Sequence, residues 1–245
     1  MSVPYFDSIR KPLDGFYNLR DLGGLPTKDG QITKFGRYLR SDAPVNLGTS
    51  TLDYLDHFPV ELSLDLRTSS ERNSKPSSLH SHGTIREAHT PLIEDSQMAS
   101  FFHALDASSG TILGDFYIHL LDHNAERFAM VFRQMATVKS GAVLFHCQQG
   151  KDRTGIISAL ILMLGGVRND DIIANYEVSY SYLKPSLEPK IKRYPDNFKQ
   201  LLRSDHQNME KMLDHFYQRH HSARSYLENA GCSSEVLDTI TERLM

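Results

Sequence analysis

The sequence predicts an α/β fold, because short apolar runs rich in β-forming residues alternate with segments of helical periodicity. Two runs are prominent, Val60 to Leu66 (VELSLDL) and Ala142 to Cys147 (AVLFHC), and each leads into polar or glycine-containing sequence, as buried strands do. Weaker runs at 36–39 and 85–89 predict two further strands. The chain has no internal repeat and no low-complexity tract.

Apolar residues at helical spacing predict helices around these strands. The segment 116–138 reads as one long amphipathic helix that leads into the strand at 142–147. The segment 156–167 reads as a buried helix, which is too short to span a bilayer.

After about residue 168 the pattern is helical only. Three prolines are expected to interrupt it: Pro185, Pro189 and Pro195. Helical pieces at 205–218 and 223–229 precede a stop at Gly231, and Ser233 or Ser234 is expected to cap one more helix. This tail could form a separate helical subdomain or pack on the same sheet, since periodicity does not tell which surface a helix covers.

The composition is that of an ordinary globular protein. The chain has 245 residues, 40% hydrophobic and 23% charged, which suits one or two domains with a sizeable core. Its 27 basic and 30 acidic residues leave a net charge of −3, with no long basic run. These values argue against nucleic-acid binding, so an anionic substrate would have to be captured locally.

Cysteine usage and the first residues bear on the compartment. The two cysteines, Cys147 and Cys232, are too few for a disulfide framework and suit a reducing environment. The opening residues, MSVPYFDSIRK, mix charges and lack the apolar stretch of a secretory signal, and no transmembrane segment is predicted. We expect a cytoplasmic location, with secretion by a route without a signal peptide left open.

The stretch AVLFHCQQGKDRTG, which ends at Gly155, carries the chemistry. Cys147 ends a strand, Arg153 follows six positions later, and Thr154 stands at the head of an apolar helix. Gly150 permits a backbone conformation that other residues reach only with strain. A strand-to-helix turn of this kind can direct successive N–H groups inward at a helix N-terminus, which makes a phosphate cradle.

Each residue type in this turn suits a step of phosphoryl transfer. A thiolate at Cys147 would be the nucleophile, and the planar fork of Arg153 matches two phosphate oxygens. Thr154 can donate a hydrogen bond to the thiolate, and His146 is expected to buttress the loop. Cys232 reads as a packing residue.

The sequence HCQQGKDRTG resembles the HCxxGKDRTG signature of the atypical protein-tyrosine and phosphoinositide phosphatases of bacteria and fungi, within the cysteine-dependent phosphatase superfamily. Further segments resemble that family in the same order and extend the likeness over nearly the whole chain. They are Asn18 to Gly24 (NLRDLGG), Tyr38 to Asp42 (YLRSD), Asp65 to Glu71 (DLRTSSE), Asn175 to Ser179 (NYEVS) and Ser225 to Gly231 (SYLENAG).

The resemblance implies a central, mostly parallel sheet flanked by helices, and hydrolysis of phosphomonoesters through a phosphocysteine without metal or other cofactor. We expect residues 1–245 to form one phosphatase domain, in which 185–245 is a helical C-terminal extension able to act as a lid. The expected partner is a phosphorylated protein or a phosphoinositide, and inorganic phosphate or another oxyanion is expected to occupy the loop.

The resemblance also implies roles for the residues of the loop. Those expected to bind substrate are Gln148, Gln149, Gly150, Lys151 and Thr154. In this family a lysine at the position of Lys151 is associated with acceptance of multiply phosphorylated inositol lipids, and a flexible charge at the rim could meet a neighbouring phosphate.

The general acid has two candidates. The resemblance favours Asp152, inside the cradle, while Asp95 follows the predicted strand 85–89, where a movable acid loop would be expected. Four residues are expected to support the loop from outside: Asp65, Arg67, Arg20 and Asp21.

Three other functions stay as alternatives. They are a non-catalytic phosphate-binding module, a rhodanese-like sulfurtransferase with a cysteine in a similar turn, and a metal-dependent phosphatase. The last would use His119 and His123, which are four residues apart on a predicted helix.

Overall fold

The computed structural model describes residues 9–83, 85–104, 111–192 and 199–245. In these ranges the strands are β1 (Arg20–Asp21), β2 (Tyr38–Ser41), β3 (Val60–Asp65), β4 (Arg86–His89) and β5 (Ala142–His146). The helices are α1 (Thr49–His57), α2 (Ser69–Ser74), α3 (Asp95–Ala104), α4 (Ile112–His123), α5 (Ala125–Ala136), α6 (Asp152–Leu164), α7 (Asn169–Ile191), α8 (His206–Arg219), α9 (Ala223–Asn229) and α10 (Ser234–Leu244). Short 3₁₀ turns lie at Ser78–Ser81 and Gln200–Leu202.

The strands form one sheet in the order β1-β2-β5-β3-β4. β1 pairs antiparallel with β2, and the remaining neighbours pair in parallel, which confirms the mostly parallel sheet flanked by helices. β5 lies at the centre. The register sets Ser41, His146 and Asp65 side by side where β2, β5 and β3 end. One edge of the sheet therefore gathers the strand ends that carry the predicted chemistry.

Both faces of the sheet are covered, which explains the continuous apolar run of β5. Val143 and Phe145 pack into the larger core with α4, α5 and α6, whereas Ala142 and Leu144 pack into a smaller core that includes Leu55 of α1. Alternate residues of a strand point to opposite faces, so a strand buried on both sides has no polar alternation.

The C-terminal helices contribute to the larger core in the described residues. Met209 and Phe216 of α8 and Leu237 of α10 belong to the same buried cluster as Val143. The end of α10 reaches the sheet as well, where the Tyr38 hydroxyl donates to Ile240 O at 3.2 Å. Ser233 caps α10 as predicted, accepting from Val236 N.

The single helix predicted over 116–138 is wrong, because the chain breaks at Asn124 into α4 and α5. Asn124 leaves the helical region with φ −127° and ψ 27°, and asparagine is a weak helix former. The break lets α4 pack against α8 while α5 packs against α9 and α10. Apolar periodicity continues across a bend, so it does not reveal one.

The interruptions predicted at Pro185 and Pro189 are also wrong, since both residues lie inside α7. They are one turn apart on the exposed face, opposite the buried Leu183 and Leu187. Water can bond the carbonyls that a proline leaves unpaired there, and the fixed φ of proline is itself helical. Pro195 lies outside the described residues.

The weaker strands are found with shifted bounds. β2 lies two residues further along than the predicted 36–39, and β4 begins one residue after the predicted start at 85. Along the described ranges, the helices are all too short or too polar to cross a membrane.

Candidate active site

The turn after β5 has the predicted strand–loop–helix arrangement. Cys147 follows the last residue of the central strand and is 2% exposed, and α6 begins at Asp152. Gly150 has φ +64°, and a Cβ there would overlap the backbone of Ser41 at the end of β2. Glycine is required at this position on both counts, by conformation and by close approach.

The backbone carbonyls of the loop 148–151 are held by donors outside the loop. Ala43 N donates to Gln148 O (3.3 Å). Asn18 Nδ2 donates to Gln149 O (2.9 Å) and Gly150 O (3.0 Å). Arg40 Nη2 donates to Gly150 O (2.9 Å) and Lys151 O (3.4 Å). Among the described residues none accepts from the N–H groups of this loop. With its carbonyls fixed outward, the loop leaves these donors to an anion.

Arg20 contacts Asn18, which in turn donates to the loop. Its Nη1 donates to Asn18 O at 3.0 Å and also bonds Asn18 Oδ1, while Nη2 donates to Asn175 O (2.6 Å) and Ser179 Oγ (2.8 Å) of α7. Asp42 accepts from Asn18 N at 2.9 Å, and burial raises the pKa of its carboxyl to about 6. Asn18 is thus held by both Arg20 and Asp42, and its side-chain Nδ2 donates to the loop.

Asp21 was expected to support the loop, but its hydrogen bonds are made elsewhere in the described structure. It accepts from Gly23 N and Gly36 N at 2.9 Å each and lies 3.6 Å from Lys11 Nζ. Burial raises the pKa of this carboxyl to about 6. In the described structure its bonds go to the Gly23 turn and not to the loop, because β1 points its two side chains to opposite faces of the sheet.

Arg153 is aimed by Glu71. Its Nη1 and Nη2 donate to the two carboxylate oxygens of Glu71 at 2.6 and 2.8 Å, in a bidentate pair with Arg153 only 6% exposed. Burial acts to lower the arginine pKa, but Glu71 and the neighbouring Cys147 outweigh it and raise the pKa. Glu71 also closes the capping box of α2 by accepting from Thr68 N at 2.9 Å.

Asp65 and Arg67 shape the turn that carries Glu71. Arg67 Nη2 lies 2.7 Å from Asp65 Oδ2, its own N–H donates to Asp65 Oδ1 at 3.0 Å, and its Nη1 donates to Lys75 O just after α2. Burial would raise the pKa of Asp65, but Arg67 overcomes it and lowers the pKa. These two residues are thus linked to the helix that carries Glu71, which bonds Arg153.

His146 lies fully buried beneath the cradle. Its Nδ1 is 3.8 Å from Asp65 Oδ1 and 3.4 Å from Cys147 O, and Nε2 has no partner among the described residues. Burial lowers the pKa of this imidazole to about 4, so the ring is neutral at physiological pH. A neutral, enclosed ring suits the predicted buttress.

The rim position predicted for Lys151 is wrong. Its side chain is fully buried, and Nζ donates to Leu201 O (2.6 Å) and Arg203 O (2.7 Å) and lies 3.4 Å from Asp152 Oδ1. The segment before α8 covers this lysine, and sequence spacing within the loop gives no sign of that.

The two acid candidates have different surroundings. Asp152 accepts from Tyr117 OH at 2.5 Å, and its side chain is 22% exposed. Asp95 bonds Ser70 Oγ and accepts from Ser70 N at 3.1 Å, and these bonds lower its pKa. Asp95 is thus bound to Ser70 of α2, whereas Asp152 begins α6 directly after the loop 148–151.

The last predicted loop residue, Thr154, is buried near the start of α6. Its Oγ1 has no hydrogen-bond partner among the described residues, which suits a hydroxyl directed at the cradle.

The two histidines of the metal alternative, His119 and His123, stack on each other with their ring centroids 4.4 Å apart, and His123 Nδ1 lies 3.0 Å from His119 O. The described residues contain no group of three or more potential metal-ligating side chains.

A family model described as the tyrosine phosphatase family matches residues 11–245. The chain belongs to the tyrosine phosphatase family. It is 34% identical over 173 residues to a tyrosine-protein phosphatase of Nostoc commune, covering 71% of this chain and 51% of that protein. It is 31% identical over 166 residues to a protein of Cupriavidus necator provisionally named a tyrosine-protein phosphatase, covering 66% and 60%. The matches thus span about half to three fifths of these relatives.

Two solved structures overlap with this member of the tyrosine phosphatase family only weakly. The crystal structure of P. aeruginosa TpbA gives a TM-score of 0.37 at 15% identity, covering 61% of this chain and 80% of that one. A variant of TpbA in complex with phosphotyrosine gives 0.39 at 14% identity, covering 84% of each chain.

Sequence reasoning missed several residues of this tyrosine phosphatase family site. Glu71 had a detectable signal, since Thr-x-x-Glu after a strand is a capping-box pattern. Asn18 and Arg40 lie within segments that resemble the family, but nothing in their spacing shows that they reach the loop 148–151. The sequence gives no sign of the role of Tyr117, because its hydroxyl bonds Asp152, which is 35 residues away in sequence.

Proposed function

We propose that the chain hydrolyses phosphotyrosine monoesters, without metal, through a phosphocysteine intermediate on Cys147. The observation that carries this is the cradle. A buried cysteine lies at the carboxyl end of the central strand, inside a loop whose carbonyls are tied outward, beside an arginine aimed by Glu71. Arg40, Lys151 and Arg153 all lie within electrostatic range of Cys147. Three cationic side chains and the start of α6 thus surround the proposed nucleophile.

In the first step the Cys147 sulfur attacks phosphorus, so an S–P bond forms as the bond from phosphorus to the ester oxygen breaks. The leaving oxygen takes a proton from Asp152, and the alcohol or phenol departs. The loop N–H groups and Arg153 bind the three equatorial oxygens, where charge is spread in the transition state. Gln148, Gln149 and Gly150 contribute through the backbone.

In the second step water attacks phosphorus and gives its proton to the Asp152 carboxylate. The S–P bond breaks, inorganic phosphate forms, and the thiolate returns. The hydroxyl of Thr154, buried without another partner, would donate to the departing thiolate. The protons balance over the two steps, and Asp152 ends as it began.

A tyrosine substrate has more support than a phosphoinositide. The family description and the names of both relatives refer to tyrosine phosphatases. The feature expected to favour inositol lipids was a flexible lysine at the rim, and Lys151 is instead buried against backbone carbonyls. Turnover of phosphoserine and phosphothreonine is tested by adding a peptide with each of these residues to the panel of substrates described below.

The domain and lid predictions remain proposals. Residues 1–245 would act as one phosphatase domain, and part of 185–245 would cover the cleft. The support is that Lys151 of the cradle bonds the backbone at Leu201 and Arg203, just before α8. A covering segment would exclude water from the reacting phosphate.

The test compares wild type with Cys147→Ser on p-nitrophenyl phosphate, a phosphotyrosine peptide and a vesicle-borne phosphoinositide, each with and without EDTA. Cys232→Ser is the matched control, because Cys232 is equally buried but lies before α10 with its Sγ 3.5 Å from Ala129 O. We expect EDTA-resistant turnover of the peptide by wild type and the control, and none by Cys147→Ser.

Other outcomes would point elsewhere. Turnover that persists in Cys147→Ser and falls with EDTA would indicate a metal enzyme. Phosphate binding without turnover would indicate a non-catalytic module, and transfer of sulfur to cyanide a rhodanese-like sulfurtransferase. Turnover of the lipid above the peptide would replace the proposed substrate class.

A further inference from the structure

Two buried tyrosines lead to the carboxylate of Asp152. Tyr117 of α4 and Tyr176 of α7 are both fully buried, and their hydroxyl oxygens are 2.7 Å apart. Tyr117 OH lies 2.5 Å from Asp152 Oδ1. The rings meet edge to face, with centroids 5.8 Å apart. The pair thus links two core helices to the first residue of α6.

The direction of these hydrogen bonds follows from the charges. Burial and the adjacent Asp152 raise the pKa of Tyr117 well above its usual value, and burial does the same for Tyr176. Both phenols therefore keep their protons. Oδ1 of an ionised Asp152 accepts from Tyr117, and Tyr176 then donates to the Tyr117 oxygen. The chain of donors runs from Tyr176 through Tyr117 to Asp152.

Lys151 approaches the same oxygen. Its Nζ is 3.4 Å from Asp152 Oδ1 and is held there by the carbonyls of Leu201 and Arg203. Oδ1 thus faces an ammonium, which only donates and so disfavours a proton on that oxygen, and a phenol that can donate to it. Asp152 Oδ2 has no hydrogen-bond partner among the described residues. The two carboxylate oxygens are therefore not equivalent.

We propose that Tyr117 is a positioning residue, which holds Oδ1 of Asp152 so that Oδ2 carries the proton to the leaving oxygen. Tyr176 fixes the hydroxyl of Tyr117 by a hydrogen bond, and the ammonium of Lys151 lies beside the same carboxylate oxygen, Oδ1. The proposal rests on the function proposed above, in which Asp152 is the acid. Tyr117 itself touches neither substrate nor the reacting atoms.

A positioning role has a kinetic signature that a purely structural role lacks. Without the Tyr117 hydroxyl, Asp152 can rotate, so proton transfer suffers most where the leaving group needs it most. We therefore compare kcat/KM, which reports the steps up to formation of the phosphocysteine, for phenyl phosphate and p-nitrophenyl phosphate. The variants are Tyr117→Phe, Asp152→Asn and the double variant.

We expect Tyr117→Phe to lower kcat/KM for phenyl phosphate about 10-fold, the value of one hydrogen bond to a charged group, with little change for p-nitrophenyl phosphate. In the Asp152→Asn background the same substitution should add no further selectivity between the two substrates. The matched control is Tyr226→Phe. Tyr226 is 3% exposed and donates to Leu121 O of the same helix α4 at 2.8 Å, so its loss perturbs the same core without touching Asp152.

An equal loss on both substrates, a loss that adds fully to that of Asp152→Asn, or the same selectivity in Tyr226→Phe would overturn the positioning role. If Tyr117→Phe does not fold, Tyr176→Phe tests the same relay one bond further out, and an unchanged substrate ratio there overturns it too. Cys147→Ser is measured alongside. Turnover in that variant removes the proposed function itself, whereas cysteine-dependent turnover with an unchanged ratio removes only the role of Tyr117.

Discussion

The guanidinium of Arg153 and the carboxylate of Glu71 face each other edge to edge, with Nη1–Oε2 at 2.6 Å and Nη2–Oε1 at 2.8 Å. This pair joins the first turn of α6 to the first turn of α2, and so joins the central strand to its neighbour β3. Two parallel bonds fix the plane of the guanidinium as well as its place. The orientation of Arg153 is therefore set by a helix outside the loop 148–151.

Glu71→Gln should weaken the site while leaving the fold intact. The amide retains size and can accept only one of the two bonds, so Arg153 loses its fixed plane. We expect about a 10- to 100-fold loss of kcat/KM on p-nitrophenyl phosphate and weaker inhibition by vanadate. Glu210→Gln, on the exposed side of α8, is the control and should match wild type. A Glu71→Gln variant with unchanged vanadate affinity would contradict this account.

Gly150→Ala should abolish oxyanion binding. Gly150 and Gly166 both have positive φ, +64° and +73°, but a Cβ at Gly150 overlaps the backbone of Ser41 whereas one at Gly166 meets nothing within 4 Å. Gly166→Ala should therefore cost only about 1 kcal/mol of conformational strain. Thermal unfolding with and without vanadate separates the two effects. Vanadate should raise the Tm of wild type and of Gly166→Ala, and should have no effect on Gly150→Ala.

Lys151→Met should impair turnover of all phosphate esters alike. Its Nζ bonds two backbone carbonyls and approaches Asp152, so methionine leaves Leu201 O and Arg203 O unsatisfied, at a cost of about 1–3 kcal/mol each where they are buried. Urea unfolding and a substrate panel measure both effects. Lys28→Met, an exposed lysine, is the control. A stable Lys151→Met variant that loses activity only on phosphoinositides would restore the rim role.

Stability should fall with acid through His146. Burial lowers the pKa of this imidazole from 6.5 to about 4, so between these values the unfolded chain binds a proton that the folded chain does not. The contribution is complete above pH 6.5 and is lost as pH falls toward 4, with a slope of at most about 1.4 kcal/mol per pH unit. Asp65, Arg67 and Arg153 are the charged groups that act on the ring.

His146→Gln isolates this contribution. Asp21 and Asp42 have pKa values raised to about 6 and act with the opposite sign, gaining stability as pH falls, but they are present in both proteins. The free energy of unfolding, measured by urea at a series of pH values, should therefore decline less steeply below pH 6.5 in the variant than in wild type. Parallel curves would show that His146 does not supply the proton linkage.

The sequence was sufficient for features that depend on local pattern. The strand–loop–helix turn around Cys147, the buried strand β3 and the cap at Ser233 follow from residue types and spacing over a few positions. The bend at Asn124 was missed because an apolar stripe continues through it. Lys151 was misplaced because a long side chain can point to either side of a loop, and only packing against Leu201 and Arg203 decides which.

Bonds between distant parts of the chain assemble the cradle. Asn18 reaches the carbonyl of Gln149 across 131 positions, and Lys151 reaches that of Arg203 across 52. During synthesis from the N-terminus, Cys147 therefore emerges well before the segment that holds Lys151 beside Asp152. A nascent chain that stalls before Leu201 carries the whole HCQQGKDRTG sequence but lacks both of the carbonyls that hold Lys151. The contacts that hold Lys151 would then be completed only after the residues of all five described strands have been synthesised.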